Sequence, residues 1–306
     1  MELCKHCMAC NSCRVIRLGP LPLFCDDSFV GVPLNHKIEP GDLYRCLDCE
    51  IRFRFPVPDH SCILDLYSRI EVEGVWDYGP DRQVWSQISR MIQDAPERSV
   101  LDVGCFRGDF LSFLGASWQR FGIEPCASAR RVAEQRGVTI LADSIETLNE
   151  DHRRFGAIVL IDVIEHLTDP LGMLQKLTRM LLPDGRILVF TGSTDAWSWR
   201  ISGVDYYYSA MPEHVAFFSP TWFRWAASPL GVVVRRIQRL SHHPAPLVTR
   251  IDEAAKNIAY IAYRRLQRHA LFNRVLKSVP VSKRIGRWRG CWWASARDHI
   301  LVVMQK

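Results

Sequence analysis

Residues 99–108, SVLDVGCFRG, decide the fold of this 306-residue chain. An apolar run ending in Asp102 passes into a turn with two glycines, Gly104 and Gly108, and then into the helix-like segment 109–114. Glycines suit such a turn because a Cβ would block the approach of a ligand to the backbone or forbid a positive φ. A strand, a glycine turn and a helix in this order predict a nucleotide-type ligand site at the carboxyl edge of a doubly wound sheet.

Short apolar runs alternate with longer amphipathic ones along the rest of the chain. Helical stretches at 127–136 and 170–182 separate several of these runs, which indicates βαβ crossovers and therefore a parallel sheet. We expect an α/β fold, a doubly wound Rossmann-like sheet of seven strands. The predicted strands are 99–103, 121–124, 138–141, 157–161, 186–191, 232–237 and 299–304.

The spacing of the turn residues limits the classes of ligand that this site could bind. A dinucleotide fingerprint G-x-G-x-x-G that begins at Gly104 would need glycine at 106 and glycine or alanine at 109, where the chain has Phe106 and Asp109. No G-x-x-x-x-G-K-[ST] loop occurs either, so pyrophosphate binding is disfavoured. The next predicted strand ends in Glu124, where an acidic side chain can accept hydrogen bonds from both hydroxyls of a ribose.

These segments resemble the motifs of class I methyltransferases, which use S-adenosylmethionine. Residues 100–108 resemble the first motif, 122–125 the second, 142–146 the adenine-contacting loop and 162–167 the fourth. The resemblance covers about residues 99–240, and Phe106 departs from it because glycine is commoner there. It implies that Glu124 holds the ribose, that Asp143 meets the adenine amino group and that Asp162 borders the methyl group. The implied cofactor-binding set is Asp102, Gly104, Cys105, Gly108, Glu124, Asp143 and Asp162.

Cysteine pairs mark the N-terminal region. The C-x-x-C pairs Cys4/Cys7 and Cys46/Cys49 are 38 residues apart, and two such turns can complete a tetrahedral four-thiolate site for Zn²⁺. Cys7/Cys10 and Cys10/Cys13 are also C-x-x-C pairs, so spacing alone leaves the N-terminal ligands open. Buried or redox-active thiols are the alternative reading. A closed four-thiolate site has no free position for a substrate, so we expect its role to be structural.

A second resemblance bears on this choice. Residues 4–23 and 44–49 resemble the zinc-binding module that precedes the methyltransferase domain of sugar C-methyltransferases. That resemblance implies Cys4, Cys7, Cys46 and Cys49 as the zinc ligands. Met8 and Glu50 depart from it, because glycine usually follows each pair.

Two histidines are candidates for the acceptor side. A sulfonium methyl is already activated, so an enzyme must mainly align the acceptor and remove its proton, a task that histidine performs near neutral pH. His214, preceded by Glu213, resembles the segment that supplies the general base in sugar C-methyltransferases. His166, together with Asp162 and Glu165, resembles a divalent metal site of ubiquinone-type O-methyltransferases, although capping or packing of a helix is the alternative. Nearby aromatic residues could stack an acceptor or form a lid: Trp197, Trp199, Tyr206, Tyr207 and Tyr208.

Composition divides the chain into three parts. We predict a zinc-binding module at 1–66, a helical linker at 67–98 and a methyltransferase domain at 99–306 with a basic helical insertion at about 244–291. The stretch 235–291 holds 14 lysines and arginines against two acids, a balance of +12 within a chain of net charge +6, so the remainder sums to −6. This basic segment is either a solvated face or a site for an anionic or lipid-linked substrate or a membrane surface.

The function favoured by these patterns is methyl transfer to a small-molecule or glycan acceptor, on oxygen or carbon. The alternatives are an RNA methyltransferase that uses the zinc module and the basic segment, with nucleic acid the less favoured partner, and a non-catalytic zinc-stabilised interaction protein. No apolar segment approaches the roughly 18 residues of a membrane span, and no signal peptide is evident. We expect a cytoplasmic protein, peripheral to a membrane at most, and the sequence leaves its oligomeric state open.

Overall fold

The computed structural model describes residues 6–22, 28–29, 32–33, 38–72, 82–149, 153–242, 245–267, 293 and 295–306. Across these ranges, none of the helices has both the length and the hydropathy that a membrane crossing demands. The N-terminal part of the described chain is built from short strands: β1 (Val15–Pro20), β2 (Ser28–Phe29), β3 (Val32–Pro33), β4 (Asp42–Cys46) and β5 (Arg52–Phe55).

A seven-stranded sheet forms the centre of the molecule, as the alternating apolar runs predicted. Its strand order is β12-β13-β10-β9-β6-β7-β8, which confirms the α/β fold of Rossmann type. An eighth strand, β11, lies outside this sheet. The strands are β6 (Ser99–Val103), β7 (Gln119–Ile123), β8 (Thr139–Ala142), β9 (Phe155–Ile161), β10 (Leu181–Gly192), β11 (Ala216–Phe217), β12 (Val233–Leu240) and β13 (His299–Gln305).

The last strand corrects the prediction of a parallel sheet. β13 runs antiparallel to both of its neighbours, β10 and β12, whereas β6, β7, β8, β9 and β10 are parallel. β13 follows β12 along the chain and lies in the sheet between β12 and β10. The reversal brings the first residue of β13, His299, to the edge where the parallel strands end.

Helices cover both faces of the sheet. Alternate residues of β9 point to opposite faces: Ile158 and Leu160 pack in the cluster that contains α5 and α8, whereas Val159 packs with α2 and α3. The α5 helix ends at Arg179, earlier than predicted, because β10 begins at Leu181. The helices are α1 (His60–Ser68), α2 (Gln83–Ile92), α3 (Asp109–Leu114), α4 (Ala127–Gln135), α5 (Pro170–Arg179), α6 (Trp197–Ser202), α7 (Tyr207–Ala210), α8 (Pro220–Leu230) and α9 (Leu247–Gln267).

The N-terminal strands are joined to the rest of the molecule through β11. The second sheet has the order β1-β4-β5-β11, and β5 pairs antiparallel with β11 so that Phe53 lies opposite Ala216. The two parts therefore share a hydrogen-bonded sheet. Helix α1 crosses the predicted boundary at residue 66, and the division into 1–66, 67–98 and 99–306 stays a prediction.

The basic segment is helical where it is described. Helix α9 buries Tyr260 and Ile261 but leaves 56% of Ile258 exposed, so the predicted apolar stripe is only partly covered by the described residues. The remainder of the predicted insertion, residues 268–291, lies outside the described residues.

Candidate active site

A cavity of about 1470 Å³ opens at the carboxyl ends of the parallel strands. The chain runs from β6 to β7 and β8 on one side and returns to β9 and β10 on the other, and ligands of doubly wound sheets bind at such a reversal of strand order. The cavity is lined by most of the residues singled out from the sequence: Asp102, Gly104, Cys105, Glu124, Asp143, Asp162, His166, Glu213 and His214.

Of the predicted cofactor-binding and catalytic residues, only Gly108 does not line the cavity. It precedes α3 in the left-handed conformation, with φ of 71°, and an added Cβ would lie 2.9 Å from Val138. Its role in the structure is to let α3 begin close to the sheet. Gly104, with φ of 75°, does face the cavity, and there a Cβ would lie 2.6 Å from a methyl group of Val163.

Glu124, which directly follows β7, is hydrogen-bonded to the glycine turn that follows β6. Its two carboxylate oxygens each accept one backbone hydrogen bond at 2.8 Å, one from the N–H of Phe106 and one from that of Cys126. Burial raises the pKa of Glu124 to about 7, and these hydrogen bonds oppose the rise. Since a carboxylate oxygen has two lone pairs, both oxygens can still accept a hydroxyl hydrogen from a ligand.

Two more acids lie in the donor part of the cavity. Asp102 is buried, and burial together with the nearby charge of Glu124 raises its pKa well above the usual value. Asp143 is more open, and a hydrogen bond from the Thr147 hydroxyl, at 2.7 Å, lowers its pKa.

Asp162 lies at the centre of a group of basic side chains. Its carboxylate is 2.5 Å from Nη2 of Arg82, 3.6 Å from Nε2 of His242 and 3.9 Å from Nε2 of His299. Burial would raise the pKa of Asp162, but the charge of Arg82, followed by contacts with His242 and His299, lowers it below its usual range. His299 is in turn held by Asp298, whose carboxylate is 2.9 Å from Nδ1, and the pKa of His299 is raised despite its burial.

Sequence reasoning missed Arg82, His242 and His299. These residues come from three distant segments, and no local spacing links them. No local sequence signal could have found His299, because its position depends on the antiparallel direction of β13. A parallel strand would have placed its first residue at the opposite edge of the sheet.

The two predicted histidines lie together in the acceptor part of the cavity. The rings of His166 and His214 have their centroids 5.0 Å apart. Nδ1 of His214 is 2.9 Å from the carbonyl oxygen of Tyr208, and Nδ1 of His166 is 3.2 Å from that of Glu213. Because a carbonyl oxygen only accepts, each Nδ1 carries the hydrogen, and each Nε2 presents its lone pair. Burial, with His166 nearby, lowers the pKa of His214 well below the usual value, so its ring is neutral at neutral pH.

The neighbouring carboxylates differ in their contacts. Glu165 accepts hydrogen bonds from the hydroxyls of Tyr208, at 2.5 Å, and Thr191, at 2.9 Å, and burial raises its pKa to about 7. Oε2 of Glu213 is buried and has no hydrogen-bond partner among the described residues. The pKa of Glu213 is raised by burial.

The aromatic residues between β10 and His214 have separate locations. Tyr207 and Tyr208 line the cavity, whereas Trp199 and Tyr206 are only 1% exposed and belong to the core. Trp197 is half exposed and packs against Trp293 at a ring distance of 4.5 Å. Only two of the five aromatics can therefore contact an acceptor in this cavity.

Arg54 of β5 holds the segment that carries His214. Its guanidinium donates to the carbonyl oxygens of His214 at 3.1 Å and of Ser209 and Met211 at 2.8 Å each. The side chain is 1% exposed, and burial lowers its pKa to about 10, so it remains charged at neutral pH. A buried arginine of the N-terminal strands thus positions the segment that carries His214 on the acceptor side of the cavity.

Four cysteine sulfurs form a compact group between β1 and the β4–β5 turn. Cys7, Cys10, Cys46 and Cys49 have their sulfur atoms within 4.8 Å of one another, and the Cys7–Cys49 and Cys10–Cys46 distances are each 3.6 Å. Four sulfurs bound at about 2.3 Å to a tetrahedral zinc lie about 3.8 Å apart, so this spacing fits the metal. Cys10 occupies the place that the sequence resemblance gave to Cys4, and Cys4 lies outside the described residues.

The doubly wound sheet and the cavity at its switch point fit the class of S-adenosylmethionine-dependent methyltransferases. A family model described as a methyltransferase domain matches residues 78–236, just over half of the chain. The chain therefore belongs to the methyltransferase domain family.

Relatives and solved structures agree with this assignment. The chain is 28% identical over 163 residues to the ubiquinone biosynthesis O-methyltransferase of Coxiella burnetii, with 48% of this chain and 68% of the relative covered. It is 29% identical over 130 residues to the enzyme of the same name from Actinobacillus pleuropneumoniae, with 38% and 56% covered. A solved complex of the Haloferax volcanii Trm112 methyltransferase activator and a putative methyltransferase matches with a TM-score of 0.51 at 13% identity, covering 75% of this chain and 92% of that chain. That likeness shows the fold.

Proposed function

We propose that this methyltransferase acts on a hydroxyl or an activated carbon of a small-molecule or glycan acceptor, with His214 as the general base. The observation that carries the proposal is the hydrogen bond from Nδ1 of His214 to the carbonyl of Tyr208. It leaves the lone pair of Nε2 available in the same cavity that holds the glycine turn. The depressed pKa keeps this base unprotonated at neutral pH.

The donor part of the cavity fits S-adenosylmethionine. Gly104 lines the cavity without a side chain, so a ligand can approach its backbone, and the free lone pairs of Glu124 suit the two ribose hydroxyls. Asp143 is available to the adenine, and Asp162 borders the methyl group. When bound, the cofactor supplies an activated methyl group. The chain's own residues would align the acceptor with it and take up the proton at Nε2 of His214.

We assign His166 and Glu213 to the part of the cavity wall that contacts the acceptor, and we do not assign a metal site to Glu165, His166 and His214. Glu165, His166 and His214 each offer one ligand atom within 4.8 Å of the others. However, both oxygens of Glu165 already accept hydroxyl hydrogen bonds, and its pKa of about 7 makes it a weak anion at neutral pH. The free Oε2 of Glu213 can accept a hydrogen bond from an acceptor hydroxyl.

The large cavity has room for the methyl donor and an acceptor at the same time. The cavity of about 1470 Å³ exceeds the range of roughly 300–1,000 Å³ usual for one small ligand, so it can hold donor and acceptor together. The names of the relatives support a small-molecule acceptor. The basic segment 235–291, which includes α9, would attract an anionic or lipid-linked acceptor or a membrane surface.

We further propose that the cysteine group binds one structural Zn²⁺ through Cys7, Cys10, Cys46 and Cys49. The spacing of the four sulfurs supports this ligand set, and the metal would complete the turn that leads from β4 into β5. Since β5 carries Arg54, the metal would also stabilise the support of His214.

The test is methyl transfer by the zinc-loaded protein. Labelled S-adenosylmethionine is incubated with nucleotide sugars, glycans, phenols, lipid-linked sugars and RNA, and the labelled product is isolated. We expect label in a small-molecule or glycan product, with transfer by His214→Asn strongly reduced. Label in RNA alone would overturn the acceptor class, and absence of label together with failure to bind S-adenosylhomocysteine would overturn the enzymatic function.

A further inference from the structure

A second, smaller cavity lies on the seam between the N-terminal strands and the methyltransferase sheet. Its volume is about 250 Å³, and it shares no lining residue with the large cavity. We call it the seam pocket and define it by Arg45, Arg52, Thr194, Arg200, Ser219 and Thr221. It is below the roughly 300 Å³ at which pockets for organic ligands begin, so it suits a small ion or a single functional group.

The seam pocket carries an excess of positive charge. Two acids also line the pocket, and both already have partners: Glu50 is 2.5 Å from Arg45, and Asp195 is 2.5 Å from Arg239. Within the part of the chain that the structure describes, the guanidinium groups of Arg52 and Arg200 make no ion pair. The pocket therefore holds two guanidinium groups that make no ion pair, and Glu50 and Asp195 act on Arg52 only at longer range.

The strand register places like charges side by side. Arg45 of β4 lies directly opposite Arg52 of β5, and like charges in such a cross-strand pair are destabilising. Burial, followed by the charge of Arg45, lowers the pKa of Arg52, whereas Glu50 and Asp195 oppose this shift. An anion between the two side chains would turn the repulsion into attraction.

The opposite wall offers hydrogen-bond donors. Helix α8 begins beside the pocket, with Ser219 as its cap: the Ser219 hydroxyl accepts from the backbone N–H of Trp222. The start of an eleven-residue helix carries a partial positive charge that favours anions. The hydroxyls of Thr194 and Thr221 complete a wall that can donate to several oxygens of one ligand.

We propose that the seam pocket binds a phosphate dianion, either as the free ion or as the terminal phosphoryl group of a phosphorylated metabolite. Planar guanidinium groups match the geometry of phosphate oxygens, and the two arginines without an ion pair match the charge of a dianion. Arg45 and Arg52 belong to the N-terminal strands, whereas Arg200 and Ser219 belong to the methyltransferase part. A bound phosphate therefore links the two parts of the molecule.

The experiment titrates inorganic phosphate into the full-length protein at constant ionic strength in chloride, with isothermal titration calorimetry and the unfolding temperature as measurements. The variants are Arg200→Gln, which removes an exposed side chain, and Arg52→Gln. The matched control is Arg236→Gln, an exposed arginine of β12 outside the pocket. We expect phosphate to bind wild type and the control alike, and each pocket variant to bind roughly tenfold more weakly, a difference of about 1.4 kcal/mol.

A second arm distinguishes the two sources of the ligand. If methyl phosphate competes with phosphate and Arg200→Gln weakens its binding, the ligand is a terminal phosphoryl group. If only inorganic phosphate binds, the ligand is the free anion. Either result supports the site. Equal affinity of Arg200→Gln and Arg236→Gln, or no binding to wild type at tens of millimolar phosphate, would overturn it. The titration needs neither methyl donor nor acceptor, so its outcome is independent of the proposed function.

Discussion

The guanidinium of Arg54 donates a hydrogen bond from Nε to the carbonyl oxygen of His214, across 160 positions of the chain. Two further donations from the same side chain fix Ser209 and Met211. The candidate base is thus positioned by a residue of the N-terminal strands and not by the methyltransferase sheet alone.

Replacement of Arg54 by glutamine should reduce kcat more than it changes KM. A shift of His214 by about 1 Å can cost roughly 100-fold in rate, and the donor part of the cavity is untouched by Arg54. The measurement is steady-state kinetics together with the affinity for S-adenosylhomocysteine, which should stay within about twofold of wild type.

Arg186→Gln is the matched control for Arg54→Gln. Arg186 also donates to a backbone carbonyl, that of Met91, and pairs with Asp94, outside the cavity. It should lower the unfolding temperature without lowering kcat of the folded protein. Equal kcat for the two variants would show that Arg54 has only a structural role.

Glu124 should make donor binding depend on pH. Burial raises its pKa to about 7, so its carboxylate form, which accepts the ribose hydrogen bonds, becomes populated as the pH rises through 7. The affinity for S-adenosylhomocysteine should increase from pH 6 to 8 in wild type. In Glu124→Gln it should be weaker by roughly 10- to 100-fold at pH 8 and lack this dependence, as expected for the loss of charged acceptors.

Asp143→Asn provides the comparison for Glu124. The pKa of Asp143 is lowered by the Thr147 hydroxyl, so its charge does not change between pH 6 and 8. Its variant should bind the donor more weakly at every pH while keeping the wild-type slope. A flat profile in wild type would contradict the role of Glu124.

The cysteine group should hold about one zinc per chain. Cys10→Ser should lose the metal and lower the unfolding temperature, because three thiolates leave the tetrahedral site incomplete. Cys13→Ser, at an exposed position, should retain the metal. Zinc content by mass spectrometry decides between Cys10 and Cys4: retention in Cys10→Ser with loss in Cys4→Ser would restore the ligand set that the sequence resemblance implied.

Much of the fold could be predicted from local sequence patterns. The strand at Ser99–Val103 and the acid at the end of β7 are visible in the sequence because an apolar run, a glycine turn and a following helix each have a local signature. The direction of β13 has none, since it depends on which neighbour the strand joins. The same reason explains why His299 and His242 near Asp162 were missed.

Other contacts depend on segments that are far apart in the chain. Arg54 contacts the segment 209–214 only because β5 pairs with β11, and a buried arginine in a short strand has no distinguishing pattern in the sequence. The proximity of Cys10 to Cys46 also depends on the path of the chain in space, because Cys4 and Cys10 both lie three positions from Cys7 in the sequence.

The most direct test of the account is the single-turnover rate of methyl transfer to the best acceptor, with His214→Asn compared with wild type and with His166→Asn. Asparagine can keep the hydrogen bond to the carbonyl of Tyr208 but has no basic nitrogen in place of Nε2. The account predicts unchanged affinity for S-adenosylhomocysteine and a rate lower by roughly 10²- to 10⁴-fold for His214→Asn, with a smaller loss for His166→Asn. A His214→Asn enzyme that transfers methyl groups at the wild-type rate would contradict it.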